Sequence, residues 1–269
     1  MPSVSWLASY PKAGSTWTYV MLANYFLDAQ VRSIADTLDG VVTDYTELLR
    51  VGKTLPFADH QHVIAKTHWL PQTEVTQEYR EQTSKVVYLV RNPRDVILSS
   101  ARMLNIPQAR RGEFAKDFIA HRGVTLWSRN GWGTWQESVR EWTSPVAEQQ
   151  HFPGAEVLTV RYEDLRADPA AGLGRIVDFL GLGGLGDEAR IERAVESASL
   201  ASMRELEQLE RTRGVKAFVD AAPHDPFVGK GLTNQSLSGL GEDVEAVYRQ
   251  WLDEDEEFRL FVKRFGYEA

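Results

Sequence analysis

Short apolar runs of β-type residues recur at Ser5–Ser9, His62–Lys66, Val86–Val90 and Val157–Val160. Helical spacing of apolar positions follows at Thr16–Phe26 after the first, Arg94–Arg102 after the third and Pro169–Leu180 after the fourth. Runs such as VVYLV, which lack strict alternation, suit strands covered on both faces of a parallel sheet. Strand-then-helix repetition predicts a doubly wound α/β arrangement, whose ligands sit at the carboxyl ends of the strands.

The pattern changes further on. Helical periodicity dominates at Trp132–Ala147, Glu188–Ser197, Ser199–Arg211, Glu242–Leu252 and Glu256–Phe265. GLGGLG at Gly181–Gly186 reads as a helix end and turn, and residues 212–240, rich in Gly, Pro, Ser, Asn and Asp, as a long loop. Loops of that length in compact domains commonly serve as lids or binding loops. With no internal repeat and no clear linker, one domain over residues 1–269 is expected: a central, mostly parallel sheet flanked by helices, with a helical C-terminal half.

Composition narrows the functional classes. Hydrophobic residues make up 43% of the 269 positions and aromatics 10%, enough for a substantial core. The formal charge of −8 argues against nucleic acid as a partner, because such binding rests on many Lys and Arg contacts. The absence of cysteine excludes disulfides and thiolate zinc sites. MPSVSWLASYPKAG lacks the basic region and apolar run of a signal peptide, and no segment reaches the roughly 18–20 apolar residues that span a bilayer. The expectation is a cytoplasmic protein without a membrane partner, whose exposed helical faces could support a homodimer.

Candidate chemistry lies where the strands end. SYPKAGSTW (9–17) follows the first strand and opens a helix, so the N–H groups of Ala13, Gly14, Ser15 and Thr16 would face an anion at a helix N-terminus. Ser15 and Thr16 add hydroxyls and Lys12 a mobile cation. A Pro-Lys-x-Gly turn can equally be a plain helix entry. The Lys-[Ser/Thr] pair that follows the second glycine of nucleoside triphosphate loops is missing, and no acidic metal partner stands out, so no metal is expected. In IAKTHWLP, His68 follows a strand end, where an imidazole can take a hydroxyl proton near neutral pH, with Lys66 two residues before it. Arg91 closes a strand in VVYLVRNPRDVILSS; its guanidinium suits phosphate, and the helix after Pro93 brings Ser99 back toward it. The other histidines, His60, His62, His121, His151 and His224, carry no comparable context.

These segments, in this order, resemble the cytosolic-type sulfotransferases that use 3′-phosphoadenosine 5′-phosphosulfate (PAPS). YPKAGSTW is similar to that family's 5′-phosphosulfate loop, RNPRDVILSS to its 3′-phosphate segment, and KTHWLP to the segment carrying its catalytic base. GTWQESVREW, VLTVRYEDLRADP, SASLASMRELE and FVGKGLTNQSLSG match four further family segments, the third only faintly. The resemblance covers residues 5 to about 240 and implies a sulfotransferase-like phosphate-loop fold. It makes His68 the base and assigns Lys12, Lys66 and Ser99 to the catalytic set. It gives the 3′-phosphate to Arg91, Ser99, Lys230 and Gly231, and the adenine to Trp17, Tyr162 and Ser199, with Leu200 or Met203 packing. Two departures stand out: Ser138 replaces a histidine often found near the acceptor, and Gly229 replaces an arginine. Gly229 should therefore weaken cofactor binding or shift the work to Lys230 and backbone donors, and it puts more weight on Arg91. Glu205 fits a solvated helix face or a group orienting the acceptor.

The implied reaction moves the sulfuryl group of PAPS, leaving 3′-phosphoadenosine 5′-phosphate (PAP), to a hydroxyl of a small or medium-sized acceptor. The chain is also similar to bacterial enzymes that decorate natural products such as glycopeptides. Trp69, Trp127, Trp132, Phe218 and Phe227 would suit an aromatic acceptor. The competing readings are a phosphate-loop small-molecule kinase using ATP and a non-catalytic adenosine-phosphate binder.

Overall fold

The computed structural model describes residues 1–181, 187–213 and 226–268. Five strands form one sheet: β1 (Ser3–Ser9), β2 (Val42–Asp44), β3 (His62–Thr67), β4 (Thr83–Val90) and β5 (Glu156–Arg161). Their order is β2-β3-β1-β4-β5, and every neighbouring pair is parallel. β1 is central, and the chain runs to one side of it for β2 and β3 and to the other for β4 and β5. That reversal is a topological switch point, where the carboxyl ends of the central strands open into a crevice.

Burial on both faces explains why the strand sequences read as nearly continuous apolar runs. Val4, Trp6 and Ala8 of β1 join Val86, Tyr88 and Val90 of β4 in a core with Tyr45, Trp135, Trp142, Tyr248 and Phe258. The intervening Leu7, Val87 and Leu89 join Tyr19, Leu22, Ile64 and Ile176 in a second core on the opposite face. Helix Ser15–Leu27 belongs to that second layer, and helix Trp135–Thr143 to the first.

One expected element is corrected and several elements are added. β2, three residues at the sheet edge, was not foreseen; it pairs Val42 with Ile64 and Asp44 with Lys66. Of the helix expected over Trp132–Ala147, Trp132 instead ends a kinked stretch at Ser128–Trp132, and the remainder is divided between helices at Trp135–Thr143 and Pro145–His151. Gly131 and Gly133 take positive φ (83° and 69°), and Thr134 then caps the next helix with Glu137. Helices at Tyr45–Arg50, Arg111–Ala120 and Tyr162–Ala167 are additional. Of the long loop expected at 212–240, residues 214–225, with Phe218 and His224, lie outside the described residues, as do 182–186 of GLGGLG. Among the described residues no helix is long and apolar enough to cross a membrane.

Candidate active site

The loop after β1 turns sharply. Lys12 is left-handed (φ 72°), Gly14 has φ 98°, and helix Ser15–Leu27 starts there with no side-chain cap. A helix N-terminus left open in this way concentrates donors and positive potential. Position 14 admits only glycine, because a Cβ would lie 2.4 Å from Cδ2 of Tyr162. Tyr162, first residue of the helix after β5, therefore packs directly on the phosphate-type loop. Trp17 meets its ring edge-on at 6.1 Å and donates from Nε1 to the carbonyl of Ala198 at 2.9 Å.

His68 stands just past β3. Its Nδ1–H donates to the Ser9 carbonyl at 2.8 Å, which leaves the lone pair on Nε2. Burial, reinforced by the nearby Lys66 cation, pulls its pKa down to about 3, so the ring is neutral at physiological pH. Lys66 is held by a buried ion pair to Asp44 of β2 (Nζ–Oδ2 2.6 Å). The other Asp44 oxygen caps helix Tyr45–Arg50 through the N–H of Thr46, so this carboxylate fixes the cation from the neighbouring strand. Lys12 Nζ lies 3.7 Å from the Phe227 ring centroid. Burial, with Arg91, Arg102 and Lys66 as like charges and Glu207 opposing them, lowers its pKa to about 7.

Arg91, immediately after β4, ties three elements together. Nη1 donates to the Lys12 carbonyl and Nη2 to the Leu232 carbonyl, each at 2.9 Å, and the guanidinium lies 4.3 Å from the Tyr162 ring centroid. Its Nε is buried without a partner among the described residues. The segment around Leu232 covers this end of the crevice and is held by two carboxylates. Glu207 accepts from the N–H groups of Phe227 and Val228, both at 2.8 Å, and Asp95 from that of Asn234 at 2.8 Å.

Together these groups enclose a cavity of about 480 Å³. Pockets of roughly 300–1,000 Å³ hold drug-sized ligands. The features are an open helix N-terminus, two lysines, a neutral imidazole with its lone pair on Nε2, and an arginine beside an aromatic ring.

The chain's sequence settles what group of proteins builds such a crevice this way: the sulfotransferase domain family matches residues 2–257. The chain belongs to the sulfotransferase family. It is 23% identical over 260 residues to rabbit (Oryctolagus cuniculus) sulfotransferase 1C2, covering 92% of this chain and 82% of that protein. It is 25% identical over 261 residues to mouse sulfotransferase 1B1, covering 91% and 81%. The fold is similar to that of mouse sulfotransferase SULT7A1 complexed with PAP, with TM-score 0.58, 17% identity, and coverage of 100% of this chain and 89% of that one. Retinol dehydratase in complex with androsterone and inactive cofactor PAP gives TM-score 0.57, 20% identity, and coverage of 95% and 82%.

Within this sulfotransferase, Lys12, Gly14, Ser15, Thr16 and Trp17 line the cavity along the first loop. Lys66, His68, Arg91, Ser99, Tyr162 and Gly231 line it from the strand ends and the covering segment. Ser199 reaches it at the N-cap of helix Leu200–Thr212, with Leu200 and Met203 beside it. Two expected residues stand apart. Ala13 buries its side chain in the core beneath the loop, and Lys230 is exposed and outside the lining. Ser138 is fully buried against the Tyr88 hydroxyl at 2.9 Å and is also outside the lining. Trp127 is core, whereas Trp132 and Phe227 line the cavity. Glu205 is exposed; Glu207, two residues on, is the buried one.

Sequence reasoning missed Asp44, Glu207 and Arg102. Asp44 had a local signal, the cap pattern D-Y-T-E before a helix. Glu207 shares the inward face of its helix with Met203, Leu206 and Glu210, and a carboxylate at an apolar-face position is a signal in itself. Asp95 was visible only as a letter of its motif.

Proposed function

We propose that this sulfotransferase moves the sulfuryl group of PAPS to a hydroxyl of a small or medium-sized acceptor, a phenolic or sugar hydroxyl of a natural product such as a glycopeptide. The observation that carries this reading is the neutral His68. Its Nδ1–H is committed to the Ser9 carbonyl beside an open helix N-terminus and two lysines. A base for a hydroxyl proton and a set of donors for developing negative charge thus share one cavity.

The residues present fit the donor. Gly14 to Thr16, with Lys12, would hold its 5′ end; Arg91 and Ser99 the 3′-phosphate; Trp17 and Tyr162 the adenine. When bound, PAPS supplies an activated sulfuryl group: the acceptor oxygen forms the new O–S bond, the S–O bond to phosphate breaks, and PAP leaves. His68 accepts the hydroxyl proton at Nε2. Lys12, Lys66 and the loop N–H groups offset charge that spreads toward the phosphate. Asp44 keeps Lys66 in place, and the covering segment, clamped by Glu207 and Asp95, excludes water from the phosphate end.

The acceptor side is walled by Trp132, whose ring centroid is 5.5 Å from that of His68, and by Phe227. An aromatic or ring-shaped acceptor suits such walls. In one solved structure, retinol dehydratase holds retinol and PAP together. To test the reading, the protein would be incubated with PAPS and a panel of phenols, glycosides and glycopeptides, and products followed by mass spectrometry. The mass gain of one sulfuryl group on a hydroxylated acceptor, with equal release of PAP, is expected. PAPS left intact across the panel, with turnover of ATP instead, would overturn it.

A further inference from the structure

We propose that Arg102 supplies the second guanidinium for the 3′-phosphate of bound PAP or PAPS, doing from a helix what position 229 of the covering segment does not. This rests on the sulfotransferase reading above. Arg102 lies on helix Pro93–Met103, three residues after Ser99, so the two side chains share a face, and both line the cavity. Its guanidinium lies across the α-carbon of Gly229. A Cβ at that position would be 3.3 Å from Nη2, 3.5 Å from Cζ and 3.8 Å from Nη1. A side chain at 229 would thus compete for the space the Arg102 head group occupies, and glycine leaves it open.

The charges at this end support the assignment. A phosphate monoester carries about −1.5 to −2 charges near neutral pH and three strong acceptor oxygens. Arg91 gives one hydrogen bond from each terminal nitrogen to the carbonyls of Lys12 and Leu232. Part of its donor set is therefore committed to the fold. Lys230, the neighbouring cation in sequence, is exposed and outside the lining. Arg102 is the further cation that the Pro93–Met103 helix brings to this wall, and its field is felt at Lys12, whose proton it helps to loosen.

Calorimetry of PAP beside adenosine 5′-phosphate, which differs by the 3′-phosphate alone, tests this on the full chain. Arg102→Ala should weaken PAP about 10–100-fold, the loss of charge-assisted hydrogen bonds, and leave adenosine 5′-phosphate within about twofold. Arg102→Gln, which keeps the size and some polar contacts, should lose the same preference and covers the case in which alanine unfolds the helix. Equal losses for both nucleotides in both variants would make Arg102 a structural residue and overturn the proposal. So would a 3′-phosphate preference that survives either substitution. A wild-type protein with no preference for PAP would instead remove the sulfotransferase reading itself, and this inference with it.

Discussion

Replacing His68 with alanine is expected to lower kcat/KM about 10²–10⁴-fold, the usual contribution of a placed general base, while PAP affinity stays nearly unchanged. The split follows from the geometry. His68 anchors through Nδ1–H to the Ser9 carbonyl, and its other nitrogen holds a lone pair rather than a proton. It therefore offers the donor nucleotide no positive charge to lose. Lys66 and Lys12 help to keep it neutral by disfavouring its cation, and an anion bound between them would relax that effect and strengthen the base. Rates with an acceptor that turns over, set beside calorimetry of PAP, check both halves. A variant retaining more than about a tenth of the wild-type rate would remove His68 from the role of base.

The second large effect concerns Lys12, and it combines a rate with a proton count. Lys12→Met is expected to lower turnover about 10²–10³-fold, as loss of one donor to developing charge typically does. In the free protein, burial together with the Arg91, Arg102 and Lys66 charges, against Glu207, brings the Lys12 pKa to about 7. An anionic ligand beside the ammonium raises that pKa, so binding draws in a proton. The sign is fixed: the contribution is complete below the free-state pKa and is lost as pH climbs toward the bound-state value. At pH 8 the ligand's phosphates are already ionised, and wild-type protein should take up most of a proton on binding PAP. Affinity should fall by up to about tenfold per pH unit from there until the bound-state pKa is reached. Calorimetry in buffers of different ionisation enthalpy reads the uptake directly. Lys12→Met should abolish it; an unchanged uptake in the variant would assign the proton to another group.

Much of the site was legible because its residues sit in unbroken local patterns. A strand followed at once by Tyr-Pro-Lys-Ala-Gly-Ser-Thr-Trp declares a helix N-terminus, and one followed by Lys-Thr-His declares a side chain at the crevice. What was not legible depends on contacts between segments. β2 holds three residues, two of them polar, and exists because β3 offers its edge; with it went Asp44 and the reason Lys66 is fixed. The apolar spacing of the helix expected over Trp132–Ala147 runs through Gly133, whose positive φ delays the helix to Trp135, so periodicity alone hid the turn that leaves Trp132 at the cavity. Glu205 and Glu207 are alike in type and two residues apart, and their opposite fates follow from helix phase. Lys230 was expected at the site from motif order and is exposed, whereas Arg102, which no motif singled out, lines the cavity, because packing decides which cation faces inward.

The most direct measurement is calorimetric binding of PAP without magnesium, run beside ATP, ADP and adenosine 5′-phosphosulfate. Micromolar binding selective for PAP, dropping sharply in Arg91→Ala, is the result predicted for a PAPS site built on the loop after β1. Equal or tighter binding of ATP, or binding of any of these nucleotides only when magnesium is added, would contradict the account.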